Sequence, residues 1–380
     1  MNIINEDISY LKSVLKINQK IKCDNVFECK QILKKKLKEK YYNAFPLSNI
    51  NSKNNFNSIY KYNYEYQRYD STLSYKNFVE TFYNIKKSHS KVLFCNSGMS
   101  AITSLLYSIY YSTNYAIEYS KDIYFETQKL IGIIYNNRNI RKKILFLDSI
   151  SINFNFTIKN IKKYNIIVID TTCFHSHAFS KIIKCILKLN KICILVRSHT
   201  KLDMLGLEYS TQGSITYLLP STISKNNMNQ IKKIIKFNLE FISNTGLGLI
   251  ENNIFPLLND EKTIKLNKNR IDRIVQNNKY FFENLKNIVL ILPNHSLFTY
   301  LKIESKTSLL EMNDSLKKFC MTNNILCKYS PSFGFDYISL DTYYDYNSLN
   351  YTIRISIGDI DKVTLDMFIN IFREYVNDLL

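Results

Sequence analysis

Three short polar segments could support chemistry, because each follows a stretch that the sequence predicts to be a buried β-strand. Residues 96–101 (Asn-Ser-Gly-Met-Ser-Ala) open a helical run, and small residues at such a turn leave backbone N–H groups able to bind a phosphate. Residues 170–172 (Asp-Thr-Thr) supply a carboxylate that could hold a cationic ring nitrogen or a metal, or cap a helix. Residues 197–201 (Arg-Ser-His-Thr-Lys) end in Lys201, whose amine could form an imine if its surroundings kept it neutral.

The elements that must position these segments are short apolar runs alternating with longer helical segments, which is the pattern of a parallel sheet. Each run is bounded by polar residues, as in strands buried on both faces. Because ligands bind beyond the carboxyl ends of such strands, we expect the three segments to meet at one edge of the sheet. The predicted strands are residues 92–95, 144–147, 166–169 and 192–196, with a fifth at 214–218.

Together the three segments match what pyridoxal phosphate requires of a protein. Its phosphate requires a cradle of N–H groups, its pyridine nitrogen an anionic partner, and its aldehyde a lysine. The sequence offers these in the order 96–101, 170–172 and 197–201.

The chain is expected to fold as an N-terminal arm and two domains. Residues 1–60 are polar and rich in Lys and Asn, residues 61–256 form the large domain, and residues 257–380 hold a linking helix and a small α+β domain. Within that last part we predict a helix at 257–285, strands at 288–292, 297–303 and 351–357, and a closing helix at 362–375.

Composition narrows the class of protein. Among 380 residues, 46% are hydrophobic and 22% charged, which excludes a wholly disordered chain, a collagen-like repeat and a coiled coil. The net charge of +19 comes from lysines spread along the chain, and nothing but that charge favours a nucleic-acid partner. Eight cysteines without a CxxC pair indicate a reducing cytoplasm. Since no apolar run approaches the ~18–20 residues that span a bilayer, we expect a soluble protein without a membrane partner.

Six motifs occur along the chain in the order found in one enzyme family. They are residues 66–68 (Tyr-Gln-Arg), 97–102 (Ser-Gly-Met-Ser-Ala-Ile), 122–127 (Asp-Ile-Tyr-Phe-Glu-Thr), 170–172, 198–201 (Ser-His-Thr-Lys) and 353–358 (Ile-Arg-Ile-Ser-Ile-Gly). In them the chain resembles fold-type I pyridoxal-phosphate enzymes, and among these the Cys/Met metabolism family that includes cystathionine γ-synthase and methionine γ-lyase. The resemblance covers roughly residues 60–375. It implies an aspartate-aminotransferase-like α/β large domain with a mostly parallel sheet, and a smaller C-terminal α+β domain.

The resemblance also implies a role for each matching residue. The residues implied to hold the cofactor phosphate are Gly98, Met99, Ser198 and Thr200, joined by Tyr66 and Arg68 from a second copy of the chain. Those implied around the ring and substrate are Lys201 (Schiff base and proton transfer), Tyr124 (stacking and proton donation), Asp170 with Thr172 (pyridine nitrogen), and Arg354 with Ser339 (substrate). The shared phosphate site implies a homodimer, with a homotetramer by analogy.

By the same resemblance, the expected reaction is γ-elimination or γ-replacement on an amino acid with a leaving group at Cγ, as in a carbon–sulfur or carbon–heteroatom lyase or transferase. A β-lyase or an aminotransferase of specialised amino acid biosynthesis stays open, because two segments depart from the family. Residues 201–206 lack the usual aromatic residue and Gly-His pair, and residues 332–340 are one residue longer than the family loop. His175 and His177 form a His-x-His pair, but no further ligand completes a metal pattern, so no metal is expected.

Overall fold

The computed structural model describes residues 5–42, 75, 77–86, 89–135, 142–152, 154, 161–249, 253–285, 290–303, 314, 316–318, 320–345 and 350–377. The chain divides into two compact units, Met1–Leu266 and Asn267–Leu380. No helix in the described ranges is both long and apolar enough to cross a membrane.

The first unit is built on a six-stranded sheet with the order β1-β6-β5-β4-β3-β2. Its strands are β1 (His89–Cys95), β2 (Tyr115–Tyr119), β3 (Lys142–Asp148), β4 (Ile166–Asp170), β5 (Ile192–Ser198) and β6 (Gly213–Leu219). Strands β2 to β5 pair in parallel, and β6 runs antiparallel to both β1 and β5. The five predicted strands are confirmed, whereas β2 was not predicted.

Helices cover this sheet on both faces. They are α1 (Glu6–Leu15), α2 (Val26–Tyr42), α3 (Phe78–Tyr83), α4 (Gly98–Ser112), α5 (Phe125–Tyr135), α6 (Ser180–Lys188), α7 (His199–Leu202) and α8 (Lys225–Thr245). Successive residues of a strand point to opposite faces. Accordingly Ile167 and Ile169 join the hydrophobic cluster that contains α1 to α3, while Ile166 and Val168 join the cluster of α4 and α8.

The N-terminal helices pack on the first of these clusters. Asn5 caps α1 by accepting hydrogen bonds from the backbone N–H groups of Asp7 and Ile8. Leu11 of α1 and Leu33 of α2 are fully buried. Apolar side chains from residues 5–42 therefore form part of the core of the first unit.

The second unit contains a five-stranded sheet with the order β7-β8-β11-β10-β9. Its strands are β7 (Leu290–Ile291), β8 (Thr299–Ile303), β9 (Cys327–Tyr329), β10 (Ile338–Asp345) and β11 (Asn350–Ser356). All pairs are antiparallel except β9 with β10. Helices α9 (Glu261–Asn284) and α10 (Lys362–Asn377) correspond to the two predicted helices. Strands β9 and β10 were not predicted.

Three elements of the first unit approach each other too closely for side chains. A Cβ atom on Gly213, at the start of β6, would lie 2.2 Å from the carbonyl oxygen of Ser97. A Cβ on Gly98, at the start of α4, would lie 2.7 Å from the Cβ of Ser198 at the end of β5. Glycine at both positions therefore allows α4, β5 and β6 to meet at one point.

Replacing Gly213 by Ala should lower the free energy of unfolding by about 1–3 kcal/mol, because the new methyl group meets backbone rather than a movable side chain. Urea denaturation measures this change. The matched control is Gly132→Ala in α5, where an added Cβ meets nothing within 4 Å. The free energy of unfolding of that variant should rise by about 0.5–1 kcal/mol, because alanine has a higher helix propensity than glycine. Equal stability of the Gly213 variant and the wild type would contradict the close approach.

Candidate active site

The N-terminus of α4 lies at the carboxyl edge of the sheet. Ser97 caps the helix, since its Oγ accepts a hydrogen bond from the backbone N–H of Ser100 at 3.0 Å. The backbone N–H groups of Gly98 and Met99 belong to the first turn, where the partial positive charge of a helix favours an anion. The contact between Gly98 and Ser198 places two of the segments predicted to bind phosphate side by side.

Lys201 lies on α7, a helix of only four residues that cannot be stable alone. Neighbouring backbone supports it, because His199 donates its N–H to the carbonyl of Gln212 at 2.8 Å. The Thr200 hydroxyl donates to the carbonyl of Ser210 at 3.1 Å. Thr200 thus binds backbone here, and Ser198 is the hydroxyl adjacent to the start of α4.

Asp170 and Thr172 lie at the end of β4, beside β5. The Oδ1 atom of Asp170 accepts a hydrogen bond from the N–H of Thr172 at 2.8 Å, and the Thr172 hydroxyl accepts one from the N–H of Ser198 at 3.0 Å. Burial raises the pKa of Asp170, although Thr172 and the Lys201 ammonium oppose the rise. A cationic N–H partner would stabilise the ionised form of such a carboxyl.

Asp148 is a second buried carboxyl at this edge, and sequence reasoning missed it. It ends β3 in register with Asp170 of β4, and its two oxygens each accept a backbone N–H at 3.0 Å, from Tyr124 and Ile150. Burial, reinforced by the charge of Asp170, raises the pKa of Asp148 to about 8. The signal was available, since Asp148 directly follows a predicted strand just as Asp170 does.

Tyr124 precedes α5, and Asp148 holds its backbone as described. The Lys201 Nζ atom lies 5.3 Å from the centroid of the Tyr124 ring. An amine, an aromatic ring and two buried carboxyls thus lie near one another. This arrangement can bind a planar cationic ring and move protons beside it.

A buried ionic network surrounds α7. The Arg197 guanidinium makes two 2.7 Å bonds to the Asp203 carboxylate. His199 lies between Asp203 and Ser214, with 2.8 Å from Nδ1 to the carboxylate and 2.8 Å from Nε2 to the hydroxyl. Burial opposes ionisation of Asp203, but Arg197 and His199 hold its pKa below the usual range. Sequence reasoning assigned no role to these side chains, and only the fold brings them together.

The remaining predicted residues lie elsewhere in the chain. Arg354, on β11 of the second unit, donates from Nη2 to Asp341 on β10 at 2.9 Å. Ser339, also on β10, donates to the carbonyl of Ser332 at 2.9 Å. Tyr66 and Arg68 lie outside the described residues.

His175 and His177 have local partners. The Nδ1 atom of His175 accepts the backbone N–H of His177 at 3.1 Å, and Nε2 of His177 lies 3.1 Å from the carbonyl of Thr81. Within the described ranges, no group of three His, Cys, Asp or Glu side chains could hold a metal ion. All eight cysteines are free thiols.

Comparison with known proteins identifies the fold. No protein-family model matches the chain, and no curated protein matches it significantly. Cytoplasmic aspartate aminotransferase from Giardia lamblia is similar over 80% of this chain and 80% of its own, with a TM-score of 0.51 and 10% identity.

Two further structures are similar at lower TM-scores. Alanine aminotransferase from Pyrococcus furiosus has a TM-score of 0.49 and 8% identity over 80% of each chain. The 8-amino-7-oxononanoate synthase from Francisella tularensis has a TM-score of 0.48 and 14% identity over 80% of this chain and 85% of its own. The chain has the aspartate-aminotransferase-like fold, called fold type I, which confirms the predicted fold class.

The raised pKa of Asp148 predicts a pH dependence of stability. The folded protein holds the Asp148 proton up to about pH 8, whereas an unfolded aspartate releases it near pH 4. The folded state therefore binds more protons in between, and the free energy of unfolding falls as pH rises from about 4 to about 8. Asp148→Asn should remove this part of the slope, as measured by urea titrations across that range.

The exposed Asp24→Asn variant, measured in parallel, is the control for replacing an aspartate by asparagine. Asp170, Lys201 and Cys173 also interact with the Asp148 charge and are present in both variants. An unchanged slope in Asp148→Asn would show that Asp148 is ionised in the folded protein at neutral pH.

Proposed function

We propose that this protein is a pyridoxal-phosphate-dependent enzyme that acts on an amino acid with a leaving group at Cγ, by γ-elimination or γ-replacement. One observation carries the proposal: a lysine, a buried aspartate and a helix N-terminus meet at the carboxyl edge of one sheet. Lys201 is close enough to Asp170 to lower its pKa against the effect of burial, and Gly98 touches Ser198 three residues before that lysine.

The described residues fit this cofactor part by part. The start of α4, with the N–H groups of Gly98 and Met99, would hold the phosphate beside Ser198. Asp170 would face the pyridine nitrogen, since a buried carboxyl with a raised pKa is stabilised by a cationic N–H. The Lys201 amine would hold the aldehyde carbon, and the Tyr124 ring, 5.3 Å from that amine, would stack on the pyridine.

When bound, pyridoxal phosphate withdraws electrons from the bonds at the substrate α-carbon. Lys201 would then take the proton from Cα and, for γ-chemistry, a proton from Cβ. Tyr124 would donate a proton to the departing group. Asp148 supports this role of Tyr124 because it holds the tyrosine backbone through a 3.0 Å hydrogen bond.

Arg354 would bind the α-carboxylate of the substrate, because a guanidinium pairs with a carboxylate through two parallel hydrogen bonds. In the second unit it already contacts Asp341 at 2.9 Å, and its guanidinium lies 5.3 Å from the Phe298 ring centroid. A substrate carboxylate would therefore replace one carboxylate partner of Arg354 by another. Ser339, two residues from Asp341 on β10, would line the same substrate position.

We further propose a homodimer or homotetramer with shared sites, in which Tyr66 and Arg68 of one copy reach the phosphate of the other. The resemblance of residues 66–68 to the family motif supports this assembly.

The alternative is a β-lyase or an aminotransferase that uses the same cofactor. Asp203, two residues after Lys201, departs from the family pattern, and in this structure it is bound to Arg197 and His199. The residues that follow Lys201 therefore differ from the family both in sequence and in their contacts, and these two reactions remain the alternative.

The cofactor proposal predicts that purified protein mixed with pyridoxal phosphate develops the visible absorption of a lysine-bound pyridoxal. Lys201→Ala should abolish that band, because it removes the amine that holds the aldehyde. Asp170→Asn should keep the band but weaken cofactor binding roughly tenfold or more, since a charged partner of the ring nitrogen is lost.

Lys184→Ala is the control for the lysine, because Lys184 is an exposed residue of α6. Its spectrum should match that of the wild type. A band that survives in Lys201→Ala but disappears in Lys184→Ala would place the cofactor elsewhere, and no band in the wild type would overturn the proposal.

The reaction is tested with O-acyl homoserine, cystathionine, methionine and γ-halo amino acids in heavy water. Release of a γ-group, together with deuterium at Cβ of the substrate recovered before complete turnover, supports γ-chemistry, because that route removes a Cβ proton before the γ-group leaves. Turnover without deuterium at Cβ of the recovered substrate favours the β-lyase or aminotransferase. Mass spectrometry of the recovered substrate measures the exchange, with Lys201→Ala as the inactive control.

A further inference from the structure

The segment directly after Lys201 has an unusual backbone. Three of its residues have a positive φ: Leu205 at 54°, Gly206 at 70° and Glu208 at 47°. Only glycine adopts this region freely, so the two other residues depend on their surroundings to hold them there. We call residues 203–209 the post-lysine segment.

Helix α2 contacts the post-lysine segment through three lysines. Lys30, Lys34 and Lys38 are spaced by four residues and so share one helix face. Lys30 donates to the carbonyl of Leu205 at 2.8 Å, and Lys34 donates to that of Glu208 at 3.1 Å. The Lys38 ammonium lies 5.2 Å from the ring centroid of Tyr209. Successive turns of α2 thus bind successive parts of the segment.

Lys30 is distinguished by complete burial. Its side chain is 0% exposed, and its ammonium pairs with Asp7 of α1 at 2.9 Å, where Asp7 is 1% exposed. A buried ammonium is tolerated only with a close anion and further hydrogen bonds. Asp7 supplies the anion and Leu205 a carbonyl acceptor, so both N-terminal helices contribute to one polar contact behind the segment.

The opposite end of the segment is held from the sheet side. Asp203 receives both bonds of the Arg197 guanidinium and contacts His199. Lys201, on α7, lies in sequence between His199 and Asp203, the residue that follows the helix. The position of the lysine therefore depends on contacts at both ends of a short stretch of chain.

We propose that α1 and α2 position Lys201, with Lys30 and Asp7 as positioning residues that hold the post-lysine segment in its left-handed conformation. The role of the lysine rests on the proposed function, but the contact itself does not. Truncation of the Lys30 side chain should release the segment and so displace the amine from its productive position, and a shift of about 1 Å at such a site can reduce a rate by roughly 100-fold.

The test compares Lys30→Met with Ile234→Ala. Ile234 is fully buried in the cluster on the other face of the sheet. Its replacement by alanine lowers the stability through lost apolar packing and leaves the contact between Lys30 and Leu205 intact. Denaturant is adjusted so that both variants have the same free energy of unfolding. Hydrogen exchange of peptides covering residues 203–212 is then followed by mass spectrometry, and the dissociation constant for pyridoxal phosphate is measured by absorption.

Lys30→Met should speed exchange in residues 203–212 at least tenfold over Ile234→Ala and raise the pyridoxal phosphate dissociation constant roughly tenfold. Equal exchange, or an unchanged dissociation constant with faster exchange, would overturn the proposal. If Lys30→Met fails to fold, the double variant Asp7→Asn with Lys30→Met is used, because it removes both buried charges and still lacks the bond to Leu205. If the wild type binds no pyridoxal phosphate, the proposed function fails, and the exchange comparison alone decides whether the helices hold the segment.

Discussion

The close approach of α4, β5 and β6 is the constraint on which the candidate site depends. Backbone atoms of Ser97 and Gly213 lie where an added methyl group would clash, and Gly98 touches Ser198 in the same way. This contact fixes the distance between a helix N-terminus and the strand that leads into Lys201. Because β6 runs antiparallel between β1 and β5, it joins two strands whose carboxyl ends face the same way.

Electrostatics gives this edge a second constraint. Asp148 and Asp170 end adjacent strands in register, and burial raises the pKa of both. Two neighbouring carboxyls in a dry site resist being ionised together, so a proton or a cation must accompany them. The Lys201 ammonium supplies one positive charge near the two carboxyls. A bound molecule with its own cationic N–H would supply a second.

Much of the fold was predictable because buried strands leave continuous apolar runs in the sequence, and Asp170 and Lys201 were found because each follows such a run. The direction of β6 was not predictable, since an apolar run reads alike in both directions. Asp148 follows its predicted strand just as Asp170 does, and it was missed because no family motif drew attention to the residues after that strand.

Other features required the folded chain. Arg197, His199 and Asp203 are spread over seven residues without a recognisable motif, and their network exists only where β5 turns into α7. Lys30 stands in a lysine-rich helix, where composition predicts an exposed side chain. Its burial is a property of tertiary packing, and so the arm predicted for residues 1–60 gave no sign of a contact with the segment after Lys201.

The packing of the N-terminal helices has a consequence for how the chain is made. Tyr10 of α1 bonds to Asp260, which is 250 residues away, and Lys30 binds Leu205 across 175 residues. Helices α1 and α2 leave the ribosome before these partners, which are synthesised roughly 10 to 50 s later at ordinary elongation rates. During that interval the apolar faces of both helices are without their native partners. The first unit can therefore complete the core under α1 and α2 only after the chain up to Asp260 has been made.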